Sequence, residues 1–320
     1  MPGLHECSLY KKQEELIKEI NENKEKTELQ KNAEISNIKK YEICQCLACS
    51  HKCLIQNENT GICGVRGNKN GLLYLLVYGK IIAEHIDPIE KKPIYHFLHG
   101  TSTYSIGTVG CNFRCGFCQN YDISQARKFL SGKEKTPKEI VDSALQSNCK
   151  SISYTYNEPT IFIEFVKDTA ILARKAGLKN ILVTNGYMTK EALDFLQLNK
   201  KESLIDAMNI DLKSYNEEFY KKICGAHLKP VLETIKLAKK RKIHVELTTL
   251  IIPGENDNIK EFEKIAEFIS KIDKNIPWHI SRFFPMYKMM EKHPTEISVL
   301  QTAYKIGRKA GLKNIHMGNI

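Results

Sequence analysis

A chain of 320 residues, 42% of them hydrophobic, is long enough for one large domain with a small appendage. Residues 1–40 carry eight Lys and eight Glu and no apolar leader core, which argues against secretion, and the longest apolar stretch, residues 72–82, is too short to cross a bilayer. The net charge of +11 sits mainly in residues 225–320, where 17 basic less 10 acidic residues give +7; no aromatic residues interleave the run Lys239-Lys240-Arg241-Lys242, which reads as a solvated helix end and argues against nucleic acid.

In chain order, residues 1–40 read as a charged extension. Within it, 11–40 form a polar helix or arm whose apolar stripe, Ile17, Ile20 and Leu29, is thin. Residues 41–98 read as a small Cys-rich, metal-binding module. Turn-prone residues 64–68 follow its cysteines, and the strand-like runs 72–78 and 81–86, joined at Gly79-Lys80, predict a β-hairpin. Residues 99–320 alternate strands (104–109, 151–156, 180–184, 207–212, 244–252, 278–282, 314–317) with helices (136–146, 162–176, 190–198, 230–241, 259–271, 298–310). Thr136-Pro137-Lys138-Glu139 is a capping box with proline at the first helical position. Such repetition predicts an α/β barrel or open sheet, with functional groups at the C-terminal ends of its strands.

The densest chemistry follows the first of these strands, in Gly110-Cys111-Asn112-Phe113-Arg114-Cys115-Gly116-Phe117-Cys118. Three thiolates spaced C-x3-C-x2-C suit three corners of a 4Fe-4S cluster and leave its fourth iron open to a small molecule. Zinc would call for a fourth ligand and matched cysteine pairs, and eleven cysteines fit a reducing cytoplasm better than disulfides. Asp211 and Lys213, two apart on one strand, face the same way; they suit an amino-acid-bearing cofactor or form an ion pair. Asn185-Gly186 either brings backbone close to a ligand or makes an ordinary turn. His279 and Arg282 lie on the sixth strand. Cys46, Cys49, Cys53 and Cys63, spaced C-x2-C-x3-C-x9-C, suit zinc or a second iron–sulfur cluster, with Cys44 and His51 as spare ligands. Cys7, Cys149 and Cys224 read as isolated.

The cysteine motif with Phe117 before its third cysteine resembles the radical S-adenosylmethionine (SAM) enzymes. The chain is most similar to their pyruvate formate-lyase activating enzyme branch, and within it to AmmeMemoRadiSam system radical SAM enzymes. The likeness covers residues 44–320 and runs through Cys63-Gly64-Val65-Arg66, Asp87-Pro88-Ile89-Glu90-Lys91-Lys92-Pro93, Tyr154-Thr155-Tyr156-Asn157-Glu158-Pro159-Thr160, Thr184-Asn185-Gly186, Asp211-Leu212-Lys213, Ile252-Pro253-Gly254-Glu255-Asn256-Asp257 and Pro277-Trp278-His279-Ile280-Ser281-Arg282-Phe283.

The resemblance implies a partial (βα)6 barrel of TIM type and SAM chelated to the open iron through its amino and carboxylate groups. It implies reductive cleavage of SAM to methionine and a 5′-deoxyadenosyl radical. That radical takes hydrogen from a protein, such as a glycyl-radical enzyme, or from a small molecule. Asn157-Glu158-Pro159 takes the place of the family's Gly-Gly-Glu-Pro segment, so Glu158 is expected to accept from the SAM ammonium. Asn157, Asn185, Asp211 and Lys213 are expected around the cofactor, Phe117 near its adenine and His279 on its ribose or carboxylate. A reductant such as flavodoxin or ferredoxin and Memo-type and AMMECR-type proteins are the implied partners. Residues 11–40 read as an insertion, and relatives are expected to continue into a cysteine-bearing tail. An RNA-modifying radical SAM enzyme and a non-enzymatic iron–sulfur scaffold are the alternatives.

Overall fold

The computed structural model describes residues 4–127, 130–199 and 202–320. The N-terminal unit consists of β1 (His5–Glu6), β2 (Tyr10–Lys11), α1 (Gln13–Glu22), α2 (Glu28–Lys40), β3 (Cys44–Cys46), β4 (Leu54–Ile55), β5 (Arg66–Lys69), β6 (Leu72–Leu75) and β7 (Lys80–Ile81). β2, β3 and β4 pair in one antiparallel ribbon and β1, β6 and β5 in another. The expected extension thus has another organisation. Residues 5–11 pair with the Cys-rich segment, and 13–40 form two helices inserted between strands in register at Tyr10 and Cys46. Residues 1–3 of that extension lie outside the described residues. Thr27 and Gln30 make a capping box at the start of α2. Leu16, Ile38 and Ile43 form the small core of this insert, whereas Leu29 is 81% exposed and contributes nothing to it.

The predicted hairpin at Gly79-Lys80 is not formed. The hairpin lies earlier: Arg66–Lys69 pairs with Leu72–Leu75 through Asn70-Gly71. Both turn residues have positive φ, 52° and 75°, as a two-residue type I′ turn requires, whereas at 79–80 only Gly79 does. Residues 66–68, read as turn, are strand. The later run belongs elsewhere: β8 (Ala83–Pro88) pairs antiparallel with β9 (Ser102–Gly107) and is the edge of the main sheet, crossing the boundary expected at residue 98.

After β9 come α3 (Tyr121–Ser124), β10 (Lys133–Glu134), α4 (Pro137–Gln146), β11 (Ser151–Tyr154), α5 (Ile163–Lys175) and β12 (Lys179–Thr184). They are followed by α6 (Lys190–Phe195), β13 (Gln197–Asn199), β14 (Glu202–Ser203), β15 (Ala207–Asp211), α7 (Glu217–Phe219), α8 (Leu228–Lys240) and β16 (His244–Ile251). The chain finishes with α9 (Ile259–Ile272), β17 (Trp278–Arg282), α10 (Ile297–Lys309) and β18 (Ile315–Gly318). The sheet order is β8-β9-β11-β12-β15-β16-β17-β18, parallel from β9 onward. Six strand–helix units and a seventh strand make the expected partial barrel, with β8 and β18 at its two edges. Leu182, Met208, Ile210, Leu247 and Trp278 join the main core with the helices. The alternate residues Ile181 and Ala207 pack instead on Ile89 and Ile94, so the β8–β9 connection plugs the other face. α4 starts on the predicted Thr136–Glu139 capping box. The basic run closes α8, where Lys239 lies 3.0 Å from Asp273 and Arg241 pairs with Asp194. Among the described residues no helix is long and apolar enough to cross a membrane.

Candidate functional site

The cysteine loop leaves the C-terminal end of β9, where a parallel α/β fold collects its functional groups. Asn157, just past β11, secures its start by donating through Nδ2 to the Gly110 carbonyl at 2.9 Å and the Thr108 hydroxyl at 3.0 Å. The Arg114 amide donates to the Cys224 carbonyl at 2.8 Å. Cys115 is buried, and Cys111 and Cys118 are half-buried. The Phe113 amide points at Cys111 Sγ from 3.4 Å, and Cys118 Sγ lies 3.2 Å from Ser124 Oγ. Burial pushes the Cys111 and Cys118 thiols up. Cys115 goes the other way, because the Cys224 thiol bonds to it and the Lys213 charge lies near. Cys224, read from sequence as isolated, is therefore part of this site.

Gly110 has φ +89°, and a Cβ there would lie 2.6 Å from the Cys63 carbonyl oxygen and 2.7 Å from Val65 Cγ1. Both neighbours are rigid. Gly110→Ala is expected to cost more than about 1 kcal/mol, read as a lower urea midpoint; an unchanged midpoint would show that the loop tolerates a shift away from the N-terminal unit.

Lys213 Nζ bonds Asp211 Oδ2 at 2.7 Å and lies 5.4 Å from the centre of the buried Phe117 ring. Burial alone would lower the Lys213 ammonium, but Asp211, Cys115 and Cys224 hold it well above its ordinary value. Asp211, Lys213, Phe117 and Cys115 are thus brought together. Glu158 is already engaged by protein donors. It is 1% exposed, and its carboxylate already accepts from the Thr160 amide at 3.0 Å, the Thr184 hydroxyl at 2.7 Å, the Asn185 amide at 2.7 Å and the Thr160 hydroxyl. Three of these donors meet Oε1 and one, the Asn185 amide, meets Oε2, so the carboxylate is engaged by the protein while Oε2 keeps an acceptor direction. Glu158 also caps the turn Pro159–Phe162 and ties it to the β12 end. Asn185 extends the chain of bonds, donating through Nδ2 to Asn112 Oδ1 at 2.7 Å, between Cys111 and Phe113.

His279 stands elsewhere. Asp211, the last residue of β15, is in register with Thr248 in mid-β16, which pairs with His279, the second residue of β17. The stagger of the strands carries one row from the top of β15 to the foot of β17. There His279 Nε2 meets Glu246 Oε2 at 2.6 Å, beside Tyr95 and His316. Glu246 also bonds His244 and the amides of Tyr95 and His96. Burial would raise the Glu246 carboxyl, but these donors hold it well below the usual range.

Cys46, Cys49, Cys53 and Cys63 line one small pocket at the N-terminal unit, together with Arg66 and Asn112. Of the spare ligands, Cys44 does not line it, and His51 has Nε2 2.9 Å from the Asn112 carbonyl. Among the described residues no three Cys, His, Asp or Glu side chains converge as one metal ion requires. Three soft thiol donors at the mouth suit an iron–sulfur cluster, whose corners lie apart, better than a single ion.

The sequence pattern of the Radical SAM superfamily matches residues 105–269. An uncharacterized protein of Methanocaldococcus jannaschii is 46% identical over 86% of this chain and 81% of its own. The pyruvate formate-lyase 1-activating enzyme of Escherichia coli (strain K12) is 24% identical over 53% of this chain and 71% of its own. The crystal structure of Streptococcus suis SuiB bound to S-adenosylmethionine has the same fold at a TM-score of 0.52 and 13% identity, over 67% of this chain and 49% of that one. With the family pattern spanning the cysteine loop and five of the seven parallel strands, the chain belongs to the Radical SAM superfamily, whose members use a 4Fe-4S cluster and SAM.

Proposed function

We propose that this chain is an oxidoreductase of the activating-enzyme branch and AmmeMemoRadiSam type, in which Cys111, Cys115 and Cys118 hold a 4Fe-4S cluster and SAM takes the remaining iron. The observation that carries the reading is the grouping of these strand-end thiols with Asp211, Lys213 and Phe117 at Cys115. With both groups bound, the site supplies reductive cleavage of SAM to methionine and a 5′-deoxyadenosyl radical, which takes hydrogen from a protein or small-molecule substrate.

The chain's own part is to hold and to orient. Lys213 sets its charge near Cys115 and favours the thiolate. Asp211 is more exposed than Lys213, with its side chain 33% accessible, and in this reading it is the more open carboxylate for the SAM ammonium beside the buried Glu158. Glu158, Asn185 and Asn157 act as positioning residues that fix the loop. A one-electron reductant such as flavodoxin or ferredoxin is the required partner, and the likeness of the quoted segments adds Memo-type and AMMECR-type proteins to the proposal.

The test is direct. Full-length protein reconstituted with iron and sulfide without oxygen, then reduced with dithionite, is expected to convert SAM to 5′-deoxyadenosine and methionine. A fully loaded, reduced sample that forms no deoxyadenosine and whose cluster spectrum ignores added SAM would sink the reading and leave the scaffold alternative.

A further inference from the structure

We infer that Cys46, Cys49, Cys53 and Cys63 hold a second four-iron, four-sulfur cluster with every corner bound to protein. The inference does not depend on the reading of the first site. Local folding brings the four thiols together. Cys46 ends β3, Cys49 and Cys53 lie on the turn that returns to β4, and Cys63 comes from the turn before β5. The turns are pinned, with the Cys46 amide donating to the Cys53 carbonyl at 3.0 Å and the Gly64 amide to the Gly61 carbonyl at 2.9 Å.

Two features choose the group. The first is spacing: a zinc ion draws four sulfurs to about 2.3 Å, whereas these four thiols line one pocket and, among the described residues, no three of them converge on a point as a single ion requires. The second is a pair of buried donors on the same wall. Arg66 is 2% exposed; its two terminal nitrogens bond Glu164 at 2.7 and 2.8 Å, while Nε has no acceptor among the described residues. Asn112 is 1% exposed; its Oδ1 is taken by Asn185, while Nδ2 likewise has no acceptor among the described residues. Buried N–H groups are nearly always paired. The electron-rich sulfurs of an anionic cluster supply acceptors for both, and Arg66 supplies a compensating charge. On binding, the four thiols give up their protons. Asn112 adjoins Cys111, so the loop of the first site also forms part of the wall of the second.

The experiment removes the first site and asks what remains. The full chain carrying Cys111→Ala, Cys115→Ala and Cys118→Ala is reconstituted without oxygen in the presence of both iron with sulfide and zinc. Iron, acid-labile sulfide and zinc are counted, and a Mössbauer spectrum is recorded. The expected result is about four irons and about four sulfides per chain, with a 4Fe-4S spectrum, lost on adding Cys49→Ala and Cys53→Ala. About one zinc and no iron would overturn the cluster; a folded chain without metal would overturn the site. The wild-type chain is measured alongside, so that a poorly folding variant does not decide the matter: about eight irons support the proposal and about four overturn it.

Discussion

Cys115→Ala is expected to lower 5′-deoxyadenosine formation by more than about 100-fold, beyond what loss of an outer-shell partner produces. Cys115 is the buried member of its set, with Lys213 near it and Cys224 bonded to it. The side chain is small, and alanine fills most of its space, so the circular dichroism and urea midpoint should stay near wild type. The neighbouring thiol adds a control. If Cys224 moves in as a substitute ligand, Cys115→Ala keeps part of its iron and Cys115→Ala with Cys224→Ala loses it. Full activity in that double variant would show that these thiols do not hold the reactive cluster.

Arg66→Met should destabilise the fold by about 3–5 kcal/mol, because it strands a buried carboxylate. Arg66 and Glu164 are each 2% exposed and form a two-bond pair that joins the N-terminal unit to α5. Burial alone would raise the Glu164 carboxyl; the Arg66 charge and hydrogen bonds hold it below its ordinary value. A depressed folded-state pKa contributes stability above the unfolded value, near about 4.3, which is lost as pH falls through the folded one. In Arg66→Met the sign reverses. Burial then raises the Glu164 pKa, so stability falls as pH rises, and the gap to wild type should narrow on acidification. Urea unfolding at neutral pH and at about pH 4.5 reads both effects. Arg66→Met with Glu164→Leu should recover most of the loss. An Arg66→Met loss below about 1 kcal/mol would mean that water reaches the pair.

The barrel was legible because its elements are local. Alternating strand and helix runs in 99–320, with the cap at Thr136, suffice to place six strand–helix units and the cysteine loop after the first strand. The N-terminal unit was not. Its strands are two to four residues long and their partners are distant, as where His5–Glu6 pairs with Leu72–Leu75, so no periodicity marks them. Asn70-Gly71 was a readable hairpin signal that the longer apolar runs outweighed. At the site, the pairing of Asp211 with Lys213 follows from their spacing on one strand. The bonds that Glu158 accepts depend on Thr184 and Asn185, and the place of His279 at the foot of β17 depends on strand stagger; neither is written in local sequence. Cys224 lies far from Cys115 along the chain and reaches it at the end of the π-helical turn Tyr220–Cys224.

The helical insert between β2 and β3 begins and ends at neighbouring backbone positions, where Lys11 pairs with Gln45. It is a closed excursion with its own core of Leu16, Ile38 and Ile43, set apart from the main one. Local unfolding of such a unit forfeits only that small core and leaves the ribbon beneath it paired. The two helices can therefore open and close as an independent cooperative segment while the cysteine turns that follow stay in place, which uncouples the most charged surface of the chain from the geometry of its thiols.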